Sequence, residues 1–253
     1  MPEMRRYEGR TVLVTGGGSG IGQACCLRLA SEGASVGVLD IDGGHAEAVA
    51  ARIRGQGGQA LALQLDVSDP AAVEAAVAKV VAELGPLRLG VNNAGIGGGP
   101  RVPPEQMALE QWDRTLAVNL SGVFYCMRAE HPHLVAAGGG AIVNTASIHA
   151  VTASPTSAAY TTAKHGVVGL TKVAALAWGK QGIRVNAVGP GFTPTPLTSA
   201  ATDDYKAAFL NVMALDHFPE AEDIAATVAF LGSDEAKATT GALYLVDGGF
   251  TIA

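Results

Sequence analysis

Tyr160 and Lys164 stand four residues apart in the run Tyr160-Thr161-Thr162-Ala163-Lys164, thirteen residues beyond Ser147. A Tyr hydroxyl ordinarily titrates near ~10 and is a poor base at neutral pH. A cation one helical turn away stabilises the phenolate and changes what that hydroxyl can do. Tyr-x-x-x-Lys also arises by chance on solvated helix surfaces, so its meaning depends on its company. Upstream, Thr15 opens the run TGGGSGIG, a glycine turn of the kind that lets phosphates approach backbone. Together they suggest proton chemistry beside a bound nucleotide.

Such side chains need elements to hold them. Apolar runs of strand length occur at residues 11–15, 35–40, 60–65, 87–92, 141–145, 184–188 and 243–246. Between them Ala, Leu and Val recur at helical spacing over residues 21–31, 44–55, 70–84, 109–136, 158–180 and 220–232. Asp69-Pro70 and Pro219-Glu220 read as helix starts, since proline is tolerated in a first turn. Strands that alternate with helices and are apolar on both faces require a parallel sheet covered on each side. The pattern predicts one doubly wound, Rossmann-like α/β domain over residues 1–253, with ligand at the carboxyl ends of the strands.

The glycine turn follows the first strand directly. Gly16, Gly17, Gly18, Ser19, Gly20, Ile21 and Gly22 lead into a helix whose first amides would face a pyrophosphate. The spacing is not Gly-x-Gly-x-x-Gly, so the reading rests on the order strand, glycine turn, helix. The second strand ends at Asp40, about 20 residues on, where a carboxylate accepts hydrogen bonds from a ribose and repels a 2′-phosphate. Ile41 and Asp42 follow and no Arg or Lys sits in the glycine turn, which favours NAD over NADP. Asp66-Val67 closes the third strand beside the expected adenine. Asn92-Asn93-Ala94-Gly95 closes the fourth, with small residues that let backbone lie close to a cofactor.

Composition narrows the partners. A net charge of −6, with 17 scattered Lys and Arg residues, gives no basic stripe and argues against nucleic acid and acidic carriers. No run of 18 apolar residues suggests a membrane span, and residues 1–10 lack the apolar core of a signal peptide, so a cytoplasmic protein is expected. Cys25, Cys26 and Cys126 match neither a disulfide framework nor a zinc spacing and read as packing residues.

The ordered set of TGGGSGIG, Asp66-Val67, Asn92 to Gly95, Val118-Asn119-Leu120, Ser147, Tyr160-x-x-x-Lys164, Pro190-Gly191 with Thr195, and Asp247-Gly248-Gly249 resembles the short-chain dehydrogenase/reductase family over essentially the whole chain. The resemblance implies a seven-stranded parallel sheet in the order 3-2-1-4-5-6-7 and a catalytic set of Asn119, Ser147, Tyr160 and Lys164. It implies that Tyr160 gives its proton to a carbonyl oxygen as hydride arrives from the nicotinamide, oxidation being the reverse. Ser147 would hold the substrate oxygen. Lys164 would lower the Tyr160 pKa and bind the nicotinamide ribose. The Asn119 backbone carbonyl, in a slightly distorted helix, would fix a water that connects Lys164 to solvent. Pro190, Gly191, Thr193 and Thr195 resemble the segment over the nicotinamide, although an aliphatic residue is usual at position 193. Pro194 and Pro196 would stiffen a loop that closes over substrate in similar enzymes.

Substrate choice is expected to lie with Ile148, His149, Pro155, loop 97–100 and a substrate loop over residues 192–218, including Phe192, Leu197, Tyr205, Phe209, Met213 and His217. These residues suit a neutral, apolar secondary alcohol or ketone, cyclic ones included. His149 reads as a hydrogen-bonded loop histidine, since Tyr160 already supplies the proton. The apolar helix near residues 158–176 and the Asp247-Gly248-Gly249 segment resemble contact surfaces of a homotetramer. Two other readings stand beside the NAD-dependent alcohol dehydrogenase: an NADPH-dependent 3-oxoacyl-carrier-protein reductase, and a non-catalytic dinucleotide-binding module.

Overall fold

The computed structural model describes residues 5–253; residues 1–4 of the polar N-terminal stretch lie outside that range. Seven strands, β1 (Thr11–Thr15), β2 (Ser35–Asp40), β3 (Gln59–Gln64), β4 (Leu87–Asn92), β5 (Gly140–Thr145), β6 (Ile183–Pro190) and β7 (Leu243–Val246), form one parallel sheet in the order 3-2-1-4-5-6-7. The helices are α1 (Gly20–Ser31), α2 (Gly43–Gly55), α3 (Pro70–Leu84), α4 (Leu109–Leu116), α5 (Gly122–Ala136), α6 (Ala158–Trp178), α7 (Asp203–Leu210) and α8 (Ala221–Gly232). This is a Rossmann-like α/β fold.

The pleat sorts the strand residues onto two faces. Val12, Val14, Val36, Val38 and Val143 pack with Cys25, Leu29, Val49, Ile53 and Val228 from α1, α2 and α8. Leu13, Leu39, Leu87, Ile142 and Val185 pack with Val77, Val80, Met127, Leu134 and Val167 from α3, α5 and α6. Each fully buried Leu or Ile here contributes about 1.5–3 kcal/mol. Asp42 caps α2 by accepting from His45 N at 3.0 Å, and Asp69 caps α3 by accepting from the Ala71 and Ala72 amides, with Pro70 in the first turn.

The structure departs from the sequence expectation at several points. Three strands begin one residue early because pairing continues: Gln59 sits opposite Ser35, and Gly140 opposite Ile183. The expected single helix over 109–136 is interrupted at Ala117–Ser121 by a π turn. A further helix, α7, stands inside the expected substrate loop.

Candidate active site

A cleft of about 360 Å³ runs along the carboxyl ends of the strands. One end is walled by Gly16, Ser19, Gly20, Ile21, Asp40, Ile41, Asp66, Val67, Asn93, Ala94 and Gly95; the other by Ser147, Tyr160, Lys164, Pro190, Gly191, Thr193, Thr195 and Leu197. Gly18, Gly22 and Asn119 are not on its surface; they support the residues that are.

The glycine turn is shaped by crowding. A Cβ on Gly22 would lie 1.9 Å from the Gly16 carbonyl oxygen, so the turn folds back on the start of α1 as bare backbone. At Gly18 a Cβ would meet Asp40 Oδ2 at 2.9 Å, and the Gly18 amide donates to that oxygen at 2.9 Å. Asp42 N donates to Asp40 Oδ1 at 3.0 Å. Each Asp40 oxygen thus accepts one backbone N–H and keeps lone pairs for a ligand hydroxyl. A side-chain-free turn at a helix N-terminus, with a fixed carboxylate beyond it, fits a dinucleotide.

Thr15 does more than open the turn. Its Oγ1 accepts from the Asn93 and Ala94 amides at 3.1 Å each, and Asn93 Nδ2 donates to the Thr15 and Gly16 carbonyls at 3.2 Å. These bonds lock the end of β1 to the Asn93-Ala94-Gly95 turn. Asp66 is held by Ser68, whose hydroxyl and amide donate to Oδ1, and by Arg114 at 3.2 Å; the Ser68 bonds first, then Arg114, hold its carboxyl below the usual range.

At the other end Ser147, Tyr160 and Lys164 converge. Lys164 is buried and Nζ donates to the Thr145 carbonyl at 2.8 Å, 5.6 Å from the Tyr160 ring centroid. Burial pushes the Lys164 pKa down to about 8. Tyr160 is half-buried and its hydroxyl is pushed up by desolvation, while the adjacent Ser147 side chain and the charge of Arg101 pull it down. The Lys164 amine is turned toward the Thr145 carbonyl. Ser147 Oγ accepts from His149 N at 3.1 Å, which leaves its proton free to donate into the cleft.

Asn119 lies in the π turn, fully buried, and its amide pairs both ways with Ile96: Ile96 N to Oδ1 and Nδ2 to Ile96 O, each 2.8 Å. Its side chain is thereby consumed in fixing the segment after β4. A Cβ on Gly95 would sit 3.0 Å from Asn119 Oδ1 and 3.8 Å from Lys164 Nζ, so glycine lets this segment pass between them.

Of the expected substrate residues, only Leu197 lines the cleft. Phe192 is buried among Tyr205, Phe209 and Phe218, with centroids 4.6–6.1 Å away, and Phe209 stacks on Phe250 at 4.3 Å. These rings pack against one another within segment 192–218 and onto Phe250. Ile148 is buried, Pro155 is exposed, and His149 packs its ring edge-on to Tyr160 at 5.8 Å with Nδ1 3.4 Å from Thr161 Oγ1. Burial, with the nearby charge of Arg101, lowers the His149 pKa and favours the neutral ring. Pro196 is accommodated in the first position of a 3₁₀ turn, Pro196–Thr198, capped reciprocally by Thr195 and Thr198. Sequence reasoning named Thr15 only as the residue that opens the glycine turn, and did not single out Arg101 or Arg114.

Comparison with known proteins identifies the family. The family model described as enoyl-(acyl carrier protein) reductase matches residues 16–251. The chain is 42% identical over 246 residues to a cyclohexanol dehydrogenase of Acinetobacter sp. (strain SE19), covering 97% of this chain and 96% of that protein. It is 40% identical over 241 residues to a 3-oxoacyl-(acyl-carrier-protein) reductase of Staphylococcus aureus, covering 95% and 97%. The crystal structure of a levodione reductase superposes with a TM-score of 0.92 at 36% identity, covering 98% of this chain and 99% of that one. With its sheet order and the grouping of Ser147, Tyr160 and Lys164 at the cleft, the chain belongs to the short-chain dehydrogenase/reductase family of oxidoreductases.

Proposed function

We propose that the protein is an NAD(H)-dependent dehydrogenase that interconverts a secondary alcohol and a ketone on a small, mostly apolar, cyclic substrate. The observation that carries this reading is that Tyr160, Ser147 and the buried Lys164 line the same cleft whose far end holds Asp40. A bound nicotinamide dinucleotide supplies hydride in reduction and accepts it in oxidation. Tyr160 gives its phenolic proton to the substrate oxygen in the first direction and takes the alcohol proton in the second. Ser147 donates a hydrogen bond to that oxygen. Lys164 keeps two N–H donors beyond the one on Thr145, for a ribose hydroxyl and for proton exchange. The Asn119 carbonyl, in the π turn, holds the water through which Lys164 reaches solvent. Gly16, Ser19, Gly20 and Ile21 receive the phosphates, Asp40 the adenosine ribose, Asp66 and Val67 the adenine, and Pro190, Gly191, Thr193 and Thr195 the nicotinamide end.

Asp40 supports NAD over NADP through its charge. The names of two relatives, a cyclohexanol dehydrogenase and a levodione reductase, support a cyclic substrate. A homotetramer is supported by the exposed apolar side chains Val173, Leu176 and Ile252. Buried, unpaired cysteines suit a cytoplasmic setting. The carrier-protein reductase remains the second reading because of the 40% identity to such an enzyme.

The test is to incubate the protein with NAD or NADP and cyclic and linear secondary alcohols at mildly alkaline pH, following reduced-cofactor absorbance. NAD-dependent turnover of a cyclic alcohol supports the proposal. Turnover confined to NADPH and 3-oxoacyl thioesters would replace it with the carrier-protein reading, and NAD binding without any turnover would favour the binding module.

A further inference from the structure

After β4 the chain passes through Gly98 and Gly99, both in the left-handed region at φ 84° and 75°. The Gln111 side-chain amide on α4 ties this loop down by donating to the Gly98 carbonyl and, at 3.0 Å, to the Pro100 carbonyl. The tether sets the position of Arg101. Its guanidinium carbon lies 5.2 Å from the Tyr205 ring centroid and Nη1 donates to the Tyr205 hydroxyl at 3.1 Å, so the cation spans from this loop to α7. Among the described residues no carboxylate pairs with Arg101. A guanidinium carries five N–H donors in a planar fork, and Tyr205 engages one.

The side chain is not remote from the chemistry. Arg101 lines a small side cavity together with Met107, Gln111, Ser157 and Tyr160. Its charge is felt at both Tyr160 and His149, lowering the pKa of each. A cation held in place by an aromatic ring, with free donors and no acid of its own, is arranged to receive an anion.

We propose that Arg101 is a specificity-determining residue that anchors a carboxylate on the substrate, away from the reacting carbinol, so that the preferred substrates are hydroxy- or oxo-cycloalkane carboxylates. The proposal names a substrate class for the dehydrogenase reading above, but the binding of the carboxylate does not depend on turnover. Bidentate pairing with the guanidinium fork fixes the ring's orientation as well as holding it. The apolar ring packs where Leu197 and Ile96 line the cleft.

Two measurements test this. In the first, calorimetric titration with cyclohexanecarboxylate and with its uncharged isostere cyclohexanecarboxamide, with and without NAD, compares the parent protein with Arg101→Met and Arg101→Lys. The parent should bind the carboxylate at least tenfold tighter than the amide, Arg101→Met should lose that preference, and Arg101→Lys should retain part of it. Equal affinity for the two ligands in the parent, or equal weakening of both by Arg101→Met, would overturn the proposal and leave Arg101 as a latch between the loop and α7. In the second, the ratio of kcat/KM for 4-hydroxycyclohexanecarboxylate to that for cyclohexanol should fall at least tenfold in Arg101→Met, through KM. An unchanged ratio overturns the assignment. If neither alcohol reacts, the dehydrogenase reading fails, while the titration still decides the role of Arg101.

Discussion

Gly90 and Glu130 compete for one space: a Cβ on Gly90 would lie 2.3 Å from Glu130 Oε1, so β4 passes the carboxyl of α5 as bare backbone. Glu130 is fully buried, accepts from Asn92 Nδ2 at 3.2 Å on Oε2, and has no partner for Oε1; Asn92 Oδ1 is likewise unpartnered. Burial pushes the Glu130 carboxyl up to about 7. Asn92 also donates to Asn144 at 3.0 Å, and Asn144 to Thr171 at 3.0 Å, so the group ties together β4, β5, α5 and α6 directly behind Asn93 and Thr145.

Gly90→Ala should therefore destabilise the fold by about 1–3 kcal/mol through overpacking. Shortening the opposing side chain in Gly90→Ala/Glu130→Ala should recover part of that loss. Urea unfolding of the four members of the cycle measures it, and strictly additive effects would contradict the steric account.

Glu130 should also make stability depend on pH. Its folded pKa is raised from the ordinary 4.5 to about 7, so the native state holds the proton more tightly than the unfolded chain. The resulting stability is fully present below pH 4.5 and is lost as pH rises to about 7, a change of roughly 3 kcal/mol. Glu130→Gln lacks this titration, so its stability relative to the parent should rise between pH 4.5 and 7 and then level off. Thermal melts of both proteins at pH 5 and pH 8 check it; an equal difference at the two values would mean that Glu130 does not titrate there.

Tyr160→Phe should lower turnover by about 10²–10⁴-fold, the range of a lost general acid. Binding of NADH, followed by its fluorescence, should stay nearly intact because the ring is preserved. Turnover within a few-fold of the parent would remove Tyr160 from the role proposed for it.

Asp40→Ala combined with Ile41→Arg should move cofactor preference toward NADP by at least about tenfold in the ratio of specificity constants, by exchanging a repulsive charge for an attractive one. Steady-state kinetics with both cofactors decides it. An unchanged ratio would place the discrimination elsewhere.

The sheet was legible because its strands are short apolar runs separated by strong helical periodicity, and the ends of β1, β2 and β4 carry residues whose types have a local reason. What escaped depends on tertiary contact. The helix distortion at Asn119 was expected only from the family resemblance, and the pairing of its side chain with Ile96, between segments 23 residues apart, was not expected at all. Phe192 and Phe209 looked like pocket residues because apolar side chains in a loop next to a site carry no mark of which way they face; they face each other. Arg101 gave no signal, being one exposed Arg in a loop. Glu130 did carry one: it falls at helical spacing among Val123, Cys126, Met127 and Leu134, all buried, so the apolar stripe ran straight through a carboxylate.

The π turn also sets the rotational phase of everything beyond it. Each residue of an α-helix advances the side chain by ~100° around the axis, and a π turn takes up one extra residue without adding an extra face. Deleting a single residue within Ala117–Ser121 would therefore restore regular winding and leave α5 facing as it does, whereas winding the same residues as regular α-helix would turn α5 by about that angle. Glu130 would leave its gap opposite Gly90, and Gly122, where a Cβ would lie 2.8 Å from a Val67 methyl, would be replaced at that contact by a larger neighbour. One inserted residue thus keeps two distant fits in step, the Asn119 clasp on Ile96 near the cleft and the carboxyl behind β4.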